Sequence, residues 1–263
     1  MSPHTESPIG RPSLALALSE VPRALFETAL LPVCAPRLAG APRGDGHPVL
    51  ILPGFLTSDA STYLLRNYLK TLGYKAYPWE LGRNFGYRSI GLSGEHIRER
   101  VEMLAEKAGE KVSLVGWSLG GIISRQMARE IPELVRQVIT LGSPFTGDPR
   151  ATNVTPIYEM LTGDVLDESD IEARLADEVK PLPVPSTAIF SKMDGVTAWE
   201  NCLDAEEGTE SENVEIYGSH MGLTLNPAVW SVVADRLAQP EGEWAPFDRA
   251  GLRKSVYPVR SAA

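Results

Sequence analysis

The sequence predicts an α/β fold in which a mostly parallel sheet carries helices on both faces. Three observations lead to this prediction. Short apolar runs alternate with segments whose apolar residues recur at helical spacing. Gly or Pro closes most of these runs, and the connections between them are short. Runs that are apolar at every position are typical of strands buried on both faces, as the strands of a parallel sheet are.

The regular alternation begins at His47. The first strand stops at Pro53 and Gly54, and the helix after it is followed by Gly73, where a C-cap glycine is expected. The predicted strands are residues 49–52, 74–77, 112–115, 135–141, 187–190 and 214–217. The predicted helices are residues 58–72, 93–108, 119–130 and 221–237, the last with a restart near Pro227.

Composition restricts the class of protein. Of the 263 residues, 43% are hydrophobic and 22% are charged, which is typical of a folded globular chain, and this length fits one α/β domain. The net charge of −9 argues against a nucleic-acid partner, because binding phosphates requires an excess of Lys and Arg. No apolar run approaches the roughly 20 residues that span a bilayer, so we expect no stable membrane insertion. The sequence does not indicate an oligomeric state.

We interpret residues 1–46 as an N-terminal extension docked on a domain of residues 47–263. Residues 1–12 are rich in Pro and Ser, and residues 37–46 are a Pro/Gly connection. Between them, the spacing predicts an amphipathic helix over residues 13–33, broken near Pro22. Its expected apolar side consists of Leu25, Phe26, Leu30 and Leu31.

The sequence Gly-Trp-Ser-Leu-Gly-Gly, residues 116–121, is the most informative motif. It follows a predicted strand and precedes a predicted helix, which is the context that gives a G-x-S-x-G match its meaning. A serine on such a sharp turn has strained backbone angles and exposes its Oγ above the sheet. The alternative is a turn of small residues that packs a helix on a strand. The context favours Ser118 as a nucleophile.

A serine nucleophile needs a base and a carboxylate that orients the base. Of the four histidines, His4, His47, His96 and His220, only His220 follows a predicted strand at the carboxyl edge of the sheet. Asp194 follows the preceding strand, although an Asp-Gly pair is also common in simple turns. Active sites of open parallel sheets lie at the carboxyl ends of strands. We therefore predict a triad of Ser118, Asp194 and His220.

These motifs resemble those of the α/β-hydrolase superfamily, and within it those of bacterial esterases and triacylglycerol lipases. The resemblance extends over residues 49–237 and depends on residues 51–55, 116–121, 141–147 and 218–222. It implies a role in lipid metabolism and an oxyanion hole made by the backbone N–H groups of Phe55 and Leu119. Pro53-Gly54 and Pro144-Phe145 replace the His-Gly and Pro-His pairs common in lipases, which favours an esterase.

The segment between about residues 145 and 185 interrupts the alternation. It is strongly acidic over residues 164–178 and ends in three prolines. The resemblance implies a cap or lid at this place, and the alternative is a solvated acidic excursion. The candidates for the underside of a cap are Met160, Leu161, Val165 and Leu166.

Several residues near the predicted strand ends are candidates for a substrate pocket, although such side chains more often belong to the core. The pocket candidates are Trp117, Trp79, Phe85, Tyr87 and Met221, with Phe55 beside them. No metal-binding motif is present, and we expect no metal and no cofactor. Cys34 and Cys202 are expected to be free thiols, with a single bridge as the alternative. The N-terminus is an unconvincing signal peptide, which favours a cytoplasmic location without excluding secretion.

Together these features predict a serine carboxylester hydrolase, an esterase or a lipase, acting on a small-molecule or lipid ester. Two alternatives remain at this point. The same triad serves acyltransferases and thioesterases, and a protein with this fold can also be a scaffold without catalytic activity.

Overall fold

The computed structural model describes residues 9–146, 152–153, 181–204, 210–250, 253 and 255–258. These residues form an α/β domain with one parallel sheet, which confirms the predicted fold class. The strands are β1 (Pro48–Leu52), β2 (Lys75–Pro78), β3 (Val112–Trp117), β4 (Val135–Leu141), β5 (Ser186–Phe190) and β6 (Ser211–Glu215). The helices are α1 (Leu14–Leu18), α2 (Glu20–Ala39), α3 (Tyr63–Leu72), α4 (Tyr87–Ile90), α5 (Glu95–Ala108), α6 (Leu119–Glu130) and α7 (Pro227–Leu237).

The strand order of the sheet is β2-β1-β3-β4-β5-β6, and every neighbouring pair is parallel. Each residue of β1, β3, β5 and β6 is buried, because helices cover both faces of the sheet. The carboxyl ends of β3, β5 and β6 therefore lie along one edge, and the loops that follow these strands carry Ser118, Asp194 and His220.

Two clusters of apolar side chains form the core, one on each face of the sheet. Helices α3 and α7 contribute Leu65, Leu69, Val229 and Val233 to one cluster. Helices α5 and α6 contribute Ile97, Val101, Ile123 and Met127 to the other. This arrangement holds α6, whose first turn adjoins Ser118, firmly against the sheet.

A buried ion pair also anchors α6. The Arg125 guanidinium donates two hydrogen bonds of 3.0 Å to the Asp204 carboxylate, and both side chains are buried. Ser186 Oγ donates to the same carboxylate at 3.0 Å. Because bidentate pairing compensates the cost of burying both charges, this contact ties α6 to β5 and to the segment before β6.

The last strand differs from its prediction, whereas the final helix breaks near Pro227 as expected. The last strand covers residues 211–215, which is earlier than the predicted 214–217. The final helix divides into a 3-10 turn, Leu223–Leu225, and α7, with the Asn226 side chain accepting a hydrogen bond from the Ala228 N–H as N-cap. The break is thus at Asn226, immediately before Pro227.

The N-terminal helix also differs from its prediction. The break lies at Ser19 and not at Pro22, and α2 continues to Ala39. Leu25 and Phe26, which we expected on the apolar inner side, are 67% and 65% exposed. The inner side of α2 instead contains Glu20, Ala24, Glu27, Leu31, Cys34 and Leu38.

Most of the acidic insert lies outside the described residues, and so do the four proposed cap residues. Where the chain is described, Thr152 forms an antiparallel bridge with Thr197. The Asn153 N–H donates to the Val196 carbonyl at 2.8 Å, and Asn153 Nδ2 donates to the Gly195 carbonyl at 2.8 Å. This part of the insert therefore adjoins the loop that follows β5.

Both cysteines are free thiols, and Cys202 is buried. Among the described residues, no helix has the length and apolar character required to cross a membrane. In the same part of the chain, no group of three or more His, Cys, Asp or Glu side chains is arranged to hold a metal ion.

Candidate active site

Ser118 lies on a strained turn between β3 and α6. Its φ is 53° and its ψ is −123°, a conformation that side chains with a Cβ rarely adopt. Glycines allow the turn to close. A Cβ on Gly116 would lie 2.4 Å from the Gly120 carbonyl oxygen, and one on Gly120 would lie 2.4 Å from that of Leu52. The spacing of glycines around Ser118 is therefore a steric requirement.

The backbone fixes the position of Ser118 from both sides. Its N–H donates to the Leu141 carbonyl at 2.9 Å, and its own carbonyl accepts the Gly121 N–H at 2.9 Å. Leu119 begins α6, and the first N–H groups of a helix have no acceptor within the helix. Ser118 thus lies at the positive end of the α6 dipole.

Asp194 and His220 form a buried pair on the neighbouring loops. His220 Nδ1–H donates to Asp194 Oδ2 at 2.6 Å, and the two side chains are only 5% and 2% exposed. Asp194 Oδ1 accepts the N–H groups of Val196 and Thr197 at 2.7 Å each, and Thr197 Oγ1 donates to Oδ2 at 3.1 Å. The carboxylate is therefore held in orientation independently of the imidazole.

The electrostatic environment of His220 favours its charged form. Burial lowers the pKa of His220, but the charge and hydrogen bond of Asp194, together with the charge of Glu20, raise it by more. The net result is a pKa above the ordinary value of 6.5. Because Nδ1 is bound to Asp194, Nε2 is the nitrogen that can accept a proton.

Trp117 and Gly142 place the Ser118 turn next to the Asp194–His220 pair. Trp117 Nε1 donates to the His220 carbonyl at 3.1 Å, and the two rings lie 5.9 Å apart. Gly142 follows Leu141, the residue that receives the Ser118 N–H. A Cβ on Gly142 would lie 3.2 Å from both Asp194 Oδ2 and His220 Nδ1. The Ser118 turn and the Asp194–His220 pair therefore lie side by side at one edge of the sheet.

The turn after β1 lies against the Ser118 turn. A Cβ on Gly54 would be 3.2 Å from Ser118 Cβ, so Gly54 brings the backbone next to Phe55 close to the serine. Leu56, the next residue, has a positive φ of 61°. Phe55 is half-buried. The two residues proposed as oxyanion donors, Phe55 and Leu119, thus flank Ser118 on adjoining turns.

Asn84 holds the turn after β1 in place and was not anticipated from the sequence. It is fully buried, and its Nδ2 donates to the Pro53 carbonyl at 2.8 Å. Its backbone carbonyl accepts the Leu56 N–H at 2.8 Å, and its own N–H donates to the Thr57 carbonyl at 2.8 Å. A single Asn at this place in the sequence carries no signal for this role.

The pocket candidates occupy different environments. Trp79 has no exposed surface, lies in the core cluster of α5 and α6, and donates its indole N–H to the Gly82 carbonyl at 2.9 Å. Trp117 is buried beside His220, whereas Phe85 and Tyr87 are half-buried. Met221 is 44% exposed and directly follows His220. By position, Trp117 and Met221 adjoin the candidate site, and Trp79 is a core residue.

The other described histidines have separate roles. His47 is buried, with Nε2 2.8 Å from Ser113 Oγ and Nδ1 2.5 Å from Asp45 Oδ1. His96 lies on α5 with Nδ1 3.1 Å from the Ser89 carbonyl. Neither belongs to a loop that carries Asp194 or His220.

Two acidic residues of α2 reach the candidate site and were not predicted. Glu20 and Glu27 are 3% and 6% exposed, and both accept hydrogen bonds from the loop that contains His220. They are separated from His220 by about two hundred residues in sequence, so a single sequence carries no signal for these contacts.

The order of strands around this edge, the turn at Ser118 and the Asp–His pair define the fold. The chain has the α/β-hydrolase fold. In agreement, the family model for a PGAP1-like alpha/beta domain matches residues 87–179. Among solved structures, Aspergillus fumigatus lipase B superposes with a TM-score of 0.60 at 17% identity, covering 75% of this chain and 54% of that one. A Bacillus licheniformis lipase superposes with a TM-score of 0.54 at 16% identity, covering 76% and 95%.

Curated relatives of this chain include bacterial lipases and esterases. A triacylglycerol lipase of Pseudarthrobacter phenanthrenivorans is 30% identical over 120 residues, which are 43% of this chain and 38% of the lipase. A pimeloyl-[acyl-carrier protein] methyl ester esterase of Aliivibrio salmonicida is 31% identical over 100 residues, 38% of this chain and 37% of the esterase. The chain thus matches less than two fifths of the length of these relatives.

Proposed function

We propose that this α/β-hydrolase is a serine carboxylester hydrolase, an esterase or a lipase, that works through an acyl-enzyme. One observation carries the proposal: Ser118 lies on a strained turn at the start of α6, beside a buried Asp194–His220 pair. This is the arrangement of nucleophile, base and orienting carboxylate that acyl transfer requires. The similarity to lipases and esterases supports the same class of reaction.

In the first half of the reaction, the neutral His220 imidazole accepts the proton of Ser118 Oγ at Nε2. The Oγ attacks the carbonyl carbon of the ester and forms a tetrahedral intermediate. His220 then gives its proton to the leaving alcohol oxygen as the C–O bond breaks, which leaves an acyl group on Ser118. Asp194 keeps the imidazole in the required tautomer and stabilises the imidazolium.

In the second half, water replaces the alcohol. His220 accepts a proton from the water, whose oxygen attacks the acyl carbon. The second tetrahedral intermediate collapses, Ser118 recovers its proton from His220, and the carboxylic acid leaves. Each catalytic group thus returns to its starting state, and no cofactor is consumed.

The backbone N–H groups of Leu119 and Phe55 are the proposed oxyanion donors. Their support is position: Leu119 is the first residue of α6, and Gly54 brings the neighbouring turn against Ser118. N–H donors fixed where the negative charge develops lower the barrier, and the loss of one such donor costs about 3 kcal/mol in related chemistry.

Turnover of p-nitrophenyl esters of increasing acyl length tests the proposal. We expect hydrolysis by the wild-type protein and its loss in Ser118→Ala. Ser124→Ala is the matched control, because Ser124 lies on α6 and donates only to the Gly120 carbonyl, at 2.8 Å. Undiminished turnover in Ser118→Ala would show that Ser118 is not the nucleophile. Esters formed from added alcohols, or thioesters formed from added thiols, in preference to the free acid would indicate an acyltransferase instead.

A further inference from the structure

The first half of helix α2 is inverted relative to an ordinary surface helix. The carboxylates of Glu20 and Glu27 face the protein, whereas Val21, Leu25 and Phe26 are 54%, 67% and 65% exposed. Amphipathic helices normally bury the apolar side and expose the charges. Burying a carboxylate is costly unless hydrogen bonds compensate the loss of water. The groups that hydrogen-bond to the two carboxylates must therefore account for their burial.

Glu20 binds both loops that carry the proposed catalytic residues. Its Oε1 accepts the N–H of Gly195 at 2.8 Å and that of His220 at 3.1 Å. Its Oε2 accepts the N–H of Met221 at 2.8 Å. Gly195 directly follows Asp194. One carboxylate thus bridges the backbone of the aspartate loop and the backbone of the histidine loop.

Neighbouring groups on α2 strengthen this bridge. Arg23 donates to Glu20 Oε1 at 2.8 Å and to the Met193 carbonyl at 2.5 Å, on the other side of Asp194. Glu27 Oε1 accepts the Ser219 N–H at 2.7 Å, just before His220. The chain on each side of both Asp194 and His220 is therefore bound to α2.

We infer that Glu20 is a positioning residue of the reaction, holding the Asp194 and His220 loops in register through three backbone N–H groups. This inference rests on the proposed function, because a register matters only if Asp194 and His220 act together. The Glu20 carboxylate can do this because both of its oxygens accept hydrogen bonds. It thereby links two loops that are far apart in sequence.

The charge of Glu20 has a second effect. Among the described residues, two charged groups adjoin His220: Asp194 on the loop after β5 and Glu20 on α2. Arg23 is paired with Glu20, and Glu27 binds the backbone one residue before His220. Glu20 contributes to the raised pKa of His220. A neutral side chain at position 20 should therefore lower the pKa of His220, because the imidazolium loses a neighbouring negative charge.

Glu20→Gln tests both effects. An amide has an acceptor on one side only, so either Met221 or the Gly195 and His220 pair loses its acceptor. We expect kcat for p-nitrophenyl acetate to fall on the order of 10-fold to 100-fold with little change in KM, because the acyl site is unchanged. The acid limb of kcat/KM should move to lower pH.

Glu212→Gln is the matched control. Glu212 is buried like Glu20, binds Arg236 at 3.0 Å and accepts the Phe247 N–H at 2.9 Å, but it lies near the amino end of β6. This variant should unfold more readily while its folded fraction keeps the wild-type kcat and pH profile. If Glu20→Gln behaved in the same way, with a loss of stability only, the positioning role would be overturned.

The titration of the His220 imidazole by NMR gives a readout that is independent of turnover. We expect a lower pKa for His220 in Glu20→Gln than in the wild type, and an unchanged pKa would overturn the electrostatic part of the inference. If the wild-type protein hydrolyses esters and Glu20→Gln is equally active, the positioning role is wrong and the proposed function stands. A wild type that hydrolyses no ester would instead reject the proposed function and, with it, the positioning role.

Discussion

The Nδ1 atom of His220 lies 2.6 Å from Oδ2 of Asp194, and the pair is almost completely excluded from solvent. Three further hydrogen bonds from Val196 and Thr197 fix the carboxylate. A hydrogen bond to a carboxylate in such surroundings is stronger than one in water. Asp194 therefore determines the orientation of the imidazole, and the turn that follows Asp194 determines the orientation of its carboxylate.

Asp194→Asn should reduce kcat on the order of 10³-fold to 10⁴-fold while preserving the fold. The amide keeps the shape of the side chain but does not stabilise the imidazolium or select the required tautomer. Thr197→Val removes one hydrogen bond to Oδ2 and leaves both backbone N–H groups, so its effect should be much smaller. Steady-state kinetics with p-nitrophenyl acetate and circular dichroism measure both variants. An Asn variant as active as the Val variant would contradict this role of Asp194.

The pH dependence of kcat/KM should report the raised pKa of His220. Only the neutral imidazole can accept the Ser118 proton, so activity is lost as the pH falls through the pKa of the folded enzyme. Because Asp194 and Glu20 outweigh the effect of burial, the midpoint of the acid limb should lie above 6.5. Initial rates at substrate concentrations well below KM, in buffers of constant ionic strength, give this midpoint. A midpoint below 6.5 would be inconsistent with the electrostatic environment described above.

Gly142→Ala should impair catalysis as well as stability. Gly142 has a φ of +56°, and a Cβ there would lie 2.5 Å from Leu223 Cδ1 and 3.2 Å from both Asp194 Oδ2 and His220 Nδ1. The Leu223 side chain must move to accommodate the methyl group, and the Asp–His pair must give by a few tenths of an ångström. Because a displacement of about 1 Å costs on the order of 10²-fold in rate, we expect a smaller loss than that. Chemical denaturation and kcat are the two measurements.

Gly109→Ala is the control for the cost of placing a Cβ on a residue with a left-handed backbone conformation. Gly109 has a φ of +70°, and a methyl group added there would have no heavy atom within 4 Å. The variant should lose roughly 1–2 kcal/mol of stability for the left-handed conformation and keep its kcat. Equal catalytic losses in both variants would show that the contact with Asp194 and His220 is not responsible.

Glu27→Gln should change how stability depends on pH. Burial raises the pKa of Glu27 above 4.5, and hydrogen bonds from Ser219 and Asn226 offset only part of this effect. A carboxyl group with a raised pKa stabilises the fold at pH values below its unfolded pKa, and this contribution is lost as the pH rises through its folded pKa. The variant lacks this pH-dependent contribution. Its free energy of unfolding should therefore increase relative to that of the wild type as the pH rises above 4.5. Urea denaturation at a series of pH values measures the difference, and a constant difference would contradict the assignment.

The sheet and the Ser118 turn were predictable because local rules determine them. Strands buried on both faces are apolar at nearly every position, and glycines mark the turns where a Cβ has no room, as at Gly116 and Gly120. Helix α6 and strand β4 have the predicted bounds for the same reason. The edge that carries Ser118, Asp194 and His220 follows from the parallel order of strands.

The role of α2 was not predictable from its pattern. The inner side of α2 recurs at helical spacing, but two of its first three residues are acidic; these inner residues are Glu20, Ala24, Glu27, Leu31, Cys34 and Leu38. An amphipathic pattern places acidic residues on the solvent side and Leu25 and Phe26 in the core. The partners that reverse this assignment are backbone N–H groups of Gly195, Ser219 and His220, which belong to loops far away in sequence.

Localisation of a covalent adduct tests the central claim most directly. The folded wild-type protein should react with a fluorophosphonate at one site, and peptide mass spectrometry should place the added mass on Ser118. Ser118→Ala should remain unlabelled, whereas Ser124→Ala should be labelled like the wild type. A folded wild-type protein that forms no adduct, or one that carries it on another residue, would contradict the account.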